Sequence, residues 1–306
     1  MYAEFYGLKE LPFALTPDPR FIYFTPSHTE VMANLHYGIE SGKGLVVVTG
    51  EVGTGKTTIL RWMMQRLDRT VLVAYIFNPR LSVTEFYQHI ASLFDLQQWE
   101  TKPELLAALG QELESRHSRG LRTVLIIDEA QGLSANVLEE IRLLSNFESD
   151  TSKQLQIVLA GQPELRELLN NTELRQLKQR IALRCVIKPL PTVEETDRYI
   201  TSRLLVSGAA RTDIFTAEAL DYIYRCTEGI PRNINNLCDY ALLAGYAAGD
   251  LVISRSVVEE VAETLDMLPR TDRRKTDRQP TELPARIFSD ANRAELWASG
   301  NGEPSN

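Results

Sequence analysis

The feature that most constrains this chain is a glycine-rich turn between an apolar run and a helical pattern. Residues 50–57 read GEVGTGKT and match the spacing G-x-x-x-x-G-K-[ST]. The run LVVV precedes the turn, and TTILRWMMQRL follows it. A strand that enters a helix through such a turn directs backbone N–H groups inward, at the positive end of the helix, where they bind phosphate. The sequence therefore predicts a phosphate-binding loop rather than a turn that binds nothing.

Several residues of this loop have an expected role. Lys56 is expected to reach the β- and γ-phosphates of a nucleotide, and the Thr57 hydroxyl is expected to ligate Mg²⁺. We therefore predict ATP and Mg²⁺ as the bound cofactors. The residues predicted to contact the nucleotide are Gly50, Glu51, Val52, Gly53, Thr54, Gly55, Lys56, Thr57 and Thr58.

A second apolar run, at residues 124–127, ends in two acids, Asp128 and Glu129. A carboxylate at the end of a buried strand lies at the sheet edge where Mg²⁺ binds in nucleotide sites. An acid one residue further along is positioned to orient and deprotonate an attacking water. Acidic pairs also commonly begin ordinary loops, but a phosphate-binding loop in the same α/β unit favours chemistry. We predict Asp128 as a metal ligand and Glu129 as the catalytic base of ATP hydrolysis.

The order of the elements predicts the fold class. Apolar runs alternate with helical patterns up to residue 190, which is typical of a parallel sheet covered on both faces, a three-layer α/β/α domain. Beyond Pro189 and Pro191, only helical patterns follow until residue 265. The predicted strands are 45–49, 71–77, 123–128, 156–160 and 184–188. Residues 165–179 are predicted to form one helix, and the proline-rich start is predicted to be an extended, packed segment. The predicted domains are an α/β core with an aromatic, proline-rich start (1–190), an all-helical domain (191–267) and a disordered tail (268–306).

Three further polar positions occur where a nucleotide site needs them. Gln162 follows the fourth strand, where it could hold the water or the γ-phosphate, or be an ordinary loop amide. Arg180 ends a helical pattern before the fifth strand, and could stabilise charge on a neighbouring subunit's nucleotide. Arg175 and Arg184 compete with it for that role. Arg232 begins a helix of the second domain, where it could respond to the γ-phosphate or cap its own helix.

Composition and charge exclude several classes of protein. The formal net charge is −8, so contact with DNA or RNA would need a local basic patch. Three cysteines without a close pair exclude a disulfide framework and fit a reducing cytoplasm. No apolar run reaches the roughly 20 residues that a membrane span needs, and the start has no signal-peptide pattern. We expect a cytoplasmic protein that reaches the inner membrane only through a partner.

Taken in order, these blocks resemble the ExeA/GspA-type AAA+ ATPases. The resemblance covers about residues 1–267 and includes FYGLKELPF, TPDPRF, VLIIDEAQGL, AGQPEL, LKQRIALR and GIPRNIN. It implies a P-loop NTPase core (AAA+, ASCE type) with a five-stranded parallel sheet and a helical lid. It also implies a homo-oligomer, a hexameric ring or a filament, with nucleotide at the subunit interfaces. By the same resemblance Gln162 is the first sensor, Arg180 the arginine finger and Arg232 the second sensor.

The sequence shows no counterpart of two parts that ExeA/GspA-type proteins carry, a membrane span and a peptidoglycan-binding domain. We therefore expect a relative that assembles or remodels a secretion, pilus or exopolysaccharide machine, with a membrane-embedded component as partner. The transposition target selectors share the same core, so an ATP-dependent DNA-associated regulator is the alternative, although the acidic charge weighs against DNA. A nucleotide switch with little turnover is a third hypothesis, and Glu129 and Arg180 weigh against it.

Overall fold

A computed structural model describes residues 2–16, 18–77, 80–97, 99–148 and 153–269. Apart from Leu268 and Pro269, the predicted tail lies outside the described residues. The strands are β1 (Leu45–Gly50), β2 (Val71–Ile76), β3 (Arg122–Ile127), β4 (Gln156–Gly161) and β5 (Ile181–Ile187). The helices are α1 (Tyr2–Phe5), α2 (Pro26–Glu40), α3 (Lys56–Met64), α4 (Val83–Leu93), α5 (Lys102–Ser118), α6 (Ala135–Leu144), α7 (Pro163–Leu168), α8 (Arg175–Arg180), α9 (Val193–Val206), α10 (Ala217–Thr227), α11 (Pro231–Ala248) and α12 (Arg255–Thr264).

The strands form one parallel sheet in the order β2-β3-β4-β1-β5. The predicted parallel five-stranded sheet is therefore confirmed. Val46 of β1 lies opposite Val158 of β4 on one side and Leu183 of β5 on the other. Because all strands run in the same direction, the carboxyl ends of β1, β4 and β3 meet at one edge, with β4 in the middle. Ligands of open α/β sheets bind at that edge.

Alternate residues of the central strands pack on opposite faces of the sheet. Leu125 and Ile127 of β3 are buried against α4 to α8. Val124 and Ile126 of the same strand are buried against α2 and α3. A strand buried on both faces is apolar at every position, which explains why β3 reads as a continuous hydrophobic run. The result is the predicted three-layer arrangement of helices, sheet and helices.

The helices that follow the sheet build a separate core together with the N-terminal segment. Tyr2, Tyr6 and Phe13 are buried among residues of α9 to α12. The hydroxyl of Tyr2 bonds the Asp239 side chain, and the hydroxyl of Tyr6 donates to the Asp250 carbonyl at 2.9 Å. The aromatic start of the chain therefore packs with the helical part, although the domain boundaries themselves stay predictions. No helix in the described part of the chain is long and apolar enough to cross a membrane.

Three segments differ from the predicted pattern. Residues 165–179, predicted as one helix, form α7 and α8 with a 3₁₀ turn, Thr172–Leu174, before α8. The Asn171 side chain accepts the Glu173 N–H, and such local bonds compete with helix continuation. β5 begins before the predicted residue 184, because Ile181 already pairs with Leu45. The first residues form the one-turn helix α1 rather than an extended segment, since the prolines come later in the segment.

Candidate nucleotide-binding site

The loop between β1 and α3 has the backbone conformation that a phosphate cradle needs. Gly53 and Gly55 have φ angles of +83° and +97°, a region that residues with a Cβ rarely adopt. α3 begins immediately afterwards at Lys56, so the unpaired N–H groups of its first turn adjoin the loop. The predicted strand–loop–helix context is therefore present.

Lys56 is buried inside this loop. Its Nζ donates to the carbonyl oxygens of Gly50 and Glu51, at 2.7 and 2.9 Å. Burial lowers the pKa of Lys56, while the charges of Glu129 and Asp128 act in the opposite direction. The ammonium group therefore lies at the centre of the loop, near the two acids that follow β3.

A buried histidine supports the loop from the start of α2. His28 Nε2 lies 3.2 Å from the Thr54 carbonyl oxygen. Its Nδ1 accepts the Thr25 N–H at 3.3 Å, so Nε2 carries the proton and donates to the loop. Burial lowers the pKa of His28, which favours this neutral form. The sequence pattern did not predict this role of His28, because its contact with the loop joins residues far apart in the chain.

The predicted metal ligands lie side by side. Asp128 Oδ2 accepts from the Thr57 hydroxyl at 2.7 Å and from the Tyr75 hydroxyl at 3.0 Å, while its Oδ1 accepts the Glu129 N–H at 2.9 Å. Burial, and then the charge of Asp128, raise the pKa of Tyr75, so Tyr75 remains a donor. A hydroxyl and a carboxylate are ligands that Mg²⁺ accepts, with water and phosphate oxygens completing its coordination. The donor set therefore fits Mg²⁺.

The structure also brings Gln162 to Glu129. Gln162 Nε2 donates to Glu129 Oε2 at 3.1 Å, and Gln131 Nε2 donates to the same oxygen at 2.6 Å. Glu129 has a φ of +55°, a left-handed conformation that non-glycine residues adopt at an energetic cost. These contacts arise because β4, which ends before Gln162, lies next to β3 in the sheet. Gln131 was not predicted, and the DEAQ sequence gives no signal that its side chain reaches back to Glu129.

A cleft of about 390 Å³ lies between the loop and the helical part of the chain. Residues 53–58 and Glu129 line one side, and Phe21, Ile22 and Tyr23 of the N-terminal segment line another. The helical part contributes side chains from α9 and α11. These are Tyr199, Arg203, Pro231, Arg232 and Asn235. The cleft therefore extends from the loop to a partly aromatic wall.

A buried arginine, Arg203, bonds both the N-terminal segment and the helical part where they line the cleft. Arg203 donates to the carbonyl oxygens of Pro12 and Ala14, at 2.5 and 3.3 Å. It also donates to the Tyr199 hydroxyl at 3.0 Å, which in turn donates to Asn235 Oδ1 at 2.8 Å. These bonds join the N-terminal segment to α9 and α11. The sequence pattern did not predict this role of Arg203, because nothing in the helical pattern of α9 distinguishes Arg203 from a surface arginine.

Among the predicted arginines, Arg232 is the one that lines the cleft. Its backbone N–H donates to the Gly53 carbonyl at 3.1 Å, so the start of α11 touches the loop. Arg180 is the last residue of α8, as predicted, and it is half-buried. Arg175 and Arg184 are exposed, and neither they nor Arg180 lines the cleft.

This sheet order, with a phosphate-binding loop after β1 and paired acids after β3, defines a P-loop domain, and residues 39–169 match the family model described as AAA domain. The chain is 43% identical over 251 residues to general secretion pathway protein A of Aeromonas hydrophila, covering 81% of this chain and 46% of that protein. The predicted resemblance to the ExeA/GspA-type AAA+ proteins is confirmed by this identity, together with the AAA domain match over residues 39–169.

Other similarities are more distant. The chain is 30% identical over 191 residues to the ATP-dependent target DNA activator B of Escherichia phage Mu, covering 60% of this chain and 55% of that protein. The chain thus spans about half the length of both curated relatives. Cdc6p from Pyrobaculum aerophilum superposes with a TM-score of 0.63 at 18% identity, over 83% of this chain and 70% of that one. The RuvB Holliday junction branch migration motor of Thermotoga maritima superposes with a TM-score of 0.52 at 20% identity, over 80% of this chain and 73% of that one. At these identities the solved structures show the fold alone.

Proposed function

We propose that this protein binds and hydrolyses Mg-ATP. The observation that carries the proposal is the 2.7 Å bond between Thr57 Oγ1 and Asp128 Oδ2, with Lys56 and Glu129 beside it. It joins a loop suited to phosphates with acids suited to a metal and to an attacking water. The AAA domain match over residues 39–169 supports the same function.

In this proposal the loop N–H groups and Lys56 hold the β- and γ-phosphates. Thr57 and Asp128 hold Mg²⁺, which supplies positive charge for the phosphoryl group during transfer. Glu129 accepts the proton of the water that attacks the γ-phosphorus, and Gln162 helps to orient that water. Arg232, at the contact between α11 and the loop, responds to the γ-phosphate.

The base and ribose then occupy the part of the cleft between the N-terminal segment and the helical part. Ile22 and Tyr199 offer apolar surface there, and Asn235 offers an amide. We propose that the chain works as an α/β core over residues 1–190 and a helical lid over 191–267. The N-terminal segment contacts both, so nucleotide in the cleft would connect their movements.

We also propose that hydrolysis takes place between copies of the chain, in a ring or a filament. Arg180 does not line the cleft of its own chain. Its position at the junction of α8 and β5 leaves it available to a neighbour's γ-phosphate, where an arginine stabilises transition-state charge. Arg175 and Arg184 are the alternatives.

The work that hydrolysis drives is proposed to be assembly or remodelling of a bacterial envelope machine, from the cytoplasmic side and through a membrane-embedded partner. Support comes from the 43% identity to a protein named for the general secretion pathway. A second candidate function is ATP-dependent regulation on DNA, because the chain is also 30% identical to a target DNA activator. DNA binding that weakens steeply with salt would favour the second candidate, since phosphate contacts release counterions.

The test of ATP hydrolysis is turnover per subunit across a protein dilution series, with molecular mass measured with and without ATP. We expect turnover to rise with protein concentration, Lys56→Ala to lose ATP binding, and Glu129→Gln to bind ATP without turnover. Arg180→Ala should keep ATP binding and lose turnover. Arg175→Ala and Arg184→Ala test the two alternatives and should keep turnover; loss of turnover in one of them instead would move the role to that residue. Tight ATP binding by Lys56→Ala, or normal turnover by Glu129→Gln, would refute the assigned roles.

A further inference from the structure

Glu129 is held by its surroundings at one oxygen only. Oε2 accepts from the side-chain amides of Gln131 and Gln162, at 2.6 and 3.1 Å. Oε1 has no hydrogen-bond partner among the described residues. The carboxylate lines the nucleotide cleft, and its charge acts on Lys56 across it. One oxygen is therefore anchored while the other is left to accept a proton from water.

Gln131, Glu129 and Gln162 are each hydrogen-bonded to the other two. The Nε2 of Gln131 bonds Glu129, and its Oε1 accepts the backbone N–H of Gln162 at 3.0 Å. A single amide thus joins Glu129, the second residue after β3, to Gln162, the first residue after β4. Both bonds are required to fix the amide, because rotation about the terminal torsion would exchange the donor and the acceptor.

The neighbouring backbone is shaped around this amide. A Cβ on Gly161 would lie 2.7 Å from Gln131 Oε1 and 3.0 Å from Leu165 Cδ2, so glycine at this position gives the Gln131 side chain its space. Glu129 itself has a left-handed backbone, with φ of +55°, and adjoins the 3₁₀ turn that carries Gln131. A strained residue keeps its conformation only where neighbouring contacts determine it.

We propose that Gln131 is a positioning residue for hydrolysis: it holds the Glu129 carboxylate toward the cleft and ties it to Gln162. This inference rests on the proposed function, in which Glu129 is the base. Gln131 is not among the described residues that line the cleft, and its side chain bonds Glu129 and Gln162, so it acts through Glu129 on the water and not on nucleotide affinity.

The test compares Gln131→Met, which keeps the length of the side chain and removes both hydrogen bonds, with Gly161→Ala, which displaces the amide. Each variant should lower kcat about tenfold or more, because a bond to a charged group is lost. The Kd for ATP should stay within about twofold of that of the unmodified protein. General damage to the fold would weaken ATP binding as well as lower kcat. The double variant should be no slower than Gln131→Met alone, because both changes break the same contact.

Gly132→Ala is the matched control. Among the described residues, a Cβ there would meet only the Arg80 side chain, at 3.8 Å, and kcat should not change. Thermal melting of every variant checks that the chain remains folded. An unchanged kcat in Gln131→Met, an increase in kcat, or additive losses in the double variant would overturn the inference while leaving the proposed function intact. Persistent hydrolysis by Glu129→Gln would instead overturn the proposed role of Glu129, and this inference with it.

Discussion

The contact between the phosphate loop and the helical part offers a sharp perturbation, Gly53→Ala. Gly53 has a φ of +83°, and its carbonyl accepts the Arg232 N–H at 3.1 Å. A Cβ at this position would lie 2.5 Å from Arg232 Cβ and 3.2 Å from Ile230 Cγ2. Alanine therefore opposes both the loop conformation and the approach of α11.

The size of the effect follows from these two contributions. A left-handed conformation costs a residue with a Cβ about 1–2 kcal/mol. Loss of the bond between Arg232 and Gly53 costs about 1 kcal/mol more. Without nucleotide the loop can relax away from the strain, whereas bound phosphate requires the cradle and the closed contact with α11. Most of the sum, about 2–3 kcal/mol, should therefore appear as ATP affinity weakened about 30- to 150-fold.

The assay is the Kd of a fluorescent ATP analogue, measured together with thermal melting. Gly120→Ala is the matched control, because Gly120 has a φ of +70° and no atom of the described residues lies within 4 Å of its added Cβ. That control should lower the melting temperature while leaving the Kd within about twofold. A Gly53→Ala protein that is folded and binds ATP within about threefold of the unmodified protein would refute the reasoning.

Three further predictions concern groups around the site. Tyr75→Phe removes one donor from Asp128 Oδ2 and should raise the Mg²⁺ concentration needed for half-maximal turnover on the order of tenfold; an unchanged midpoint would contradict this. Because burial lowers the pKa of His28 below its ordinary 6.5, the unfolded chain binds a proton there that the folded chain does not. The free energy of unfolding should therefore fall as pH drops through about 6.5, by at most about 1.4 kcal/mol per pH unit, and the fall should be smaller in His28→Gln. The same pH dependence of the melting temperature in both proteins would contradict this prediction. Arg203→Met leaves the carbonyl oxygens that it bonds without a partner and should cost about 3 kcal/mol in denaturant unfolding, and a loss below about 1 kcal/mol would exclude that role.

The loop and the acids could be predicted because their chemistry depends on close spacing along the chain. Gly53, Gly55 and Lys56 lie within one turn, and Asp128 directly precedes Glu129. Strand–helix alternation was sufficient for a parallel sheet, since apolar runs of strand length occur only where both faces are covered. Helix ends were less predictable: residues 165–179 carry a continuous helical pattern, yet local bonds of Asn171 interrupt it.

The remaining site residues depend on contacts between distant segments. Tyr75 reaches Asp128 because β2 pairs with β3, and Gln162 reaches Glu129 because β4 pairs with β3. Arg203 bonds Pro12 of the N-terminal segment, which lies 191 residues earlier in the chain. No pattern within one element distinguishes such a side chain from an ordinary surface residue.

By itself, the sequence of this protein determined the phosphate loop, the paired acids and the layered α/β class, because each follows from local spacing or from periodic burial. Tertiary structure alone decided which residues surround the acids, through the strand order β2-β3-β4-β1-β5. It also decided that the start of the chain, through Tyr2 and Phe13, packs with the helical part. The physical reason is that burial and hydrogen bonding select partners by distance in space, and the fold sets that distance between residues remote in sequence.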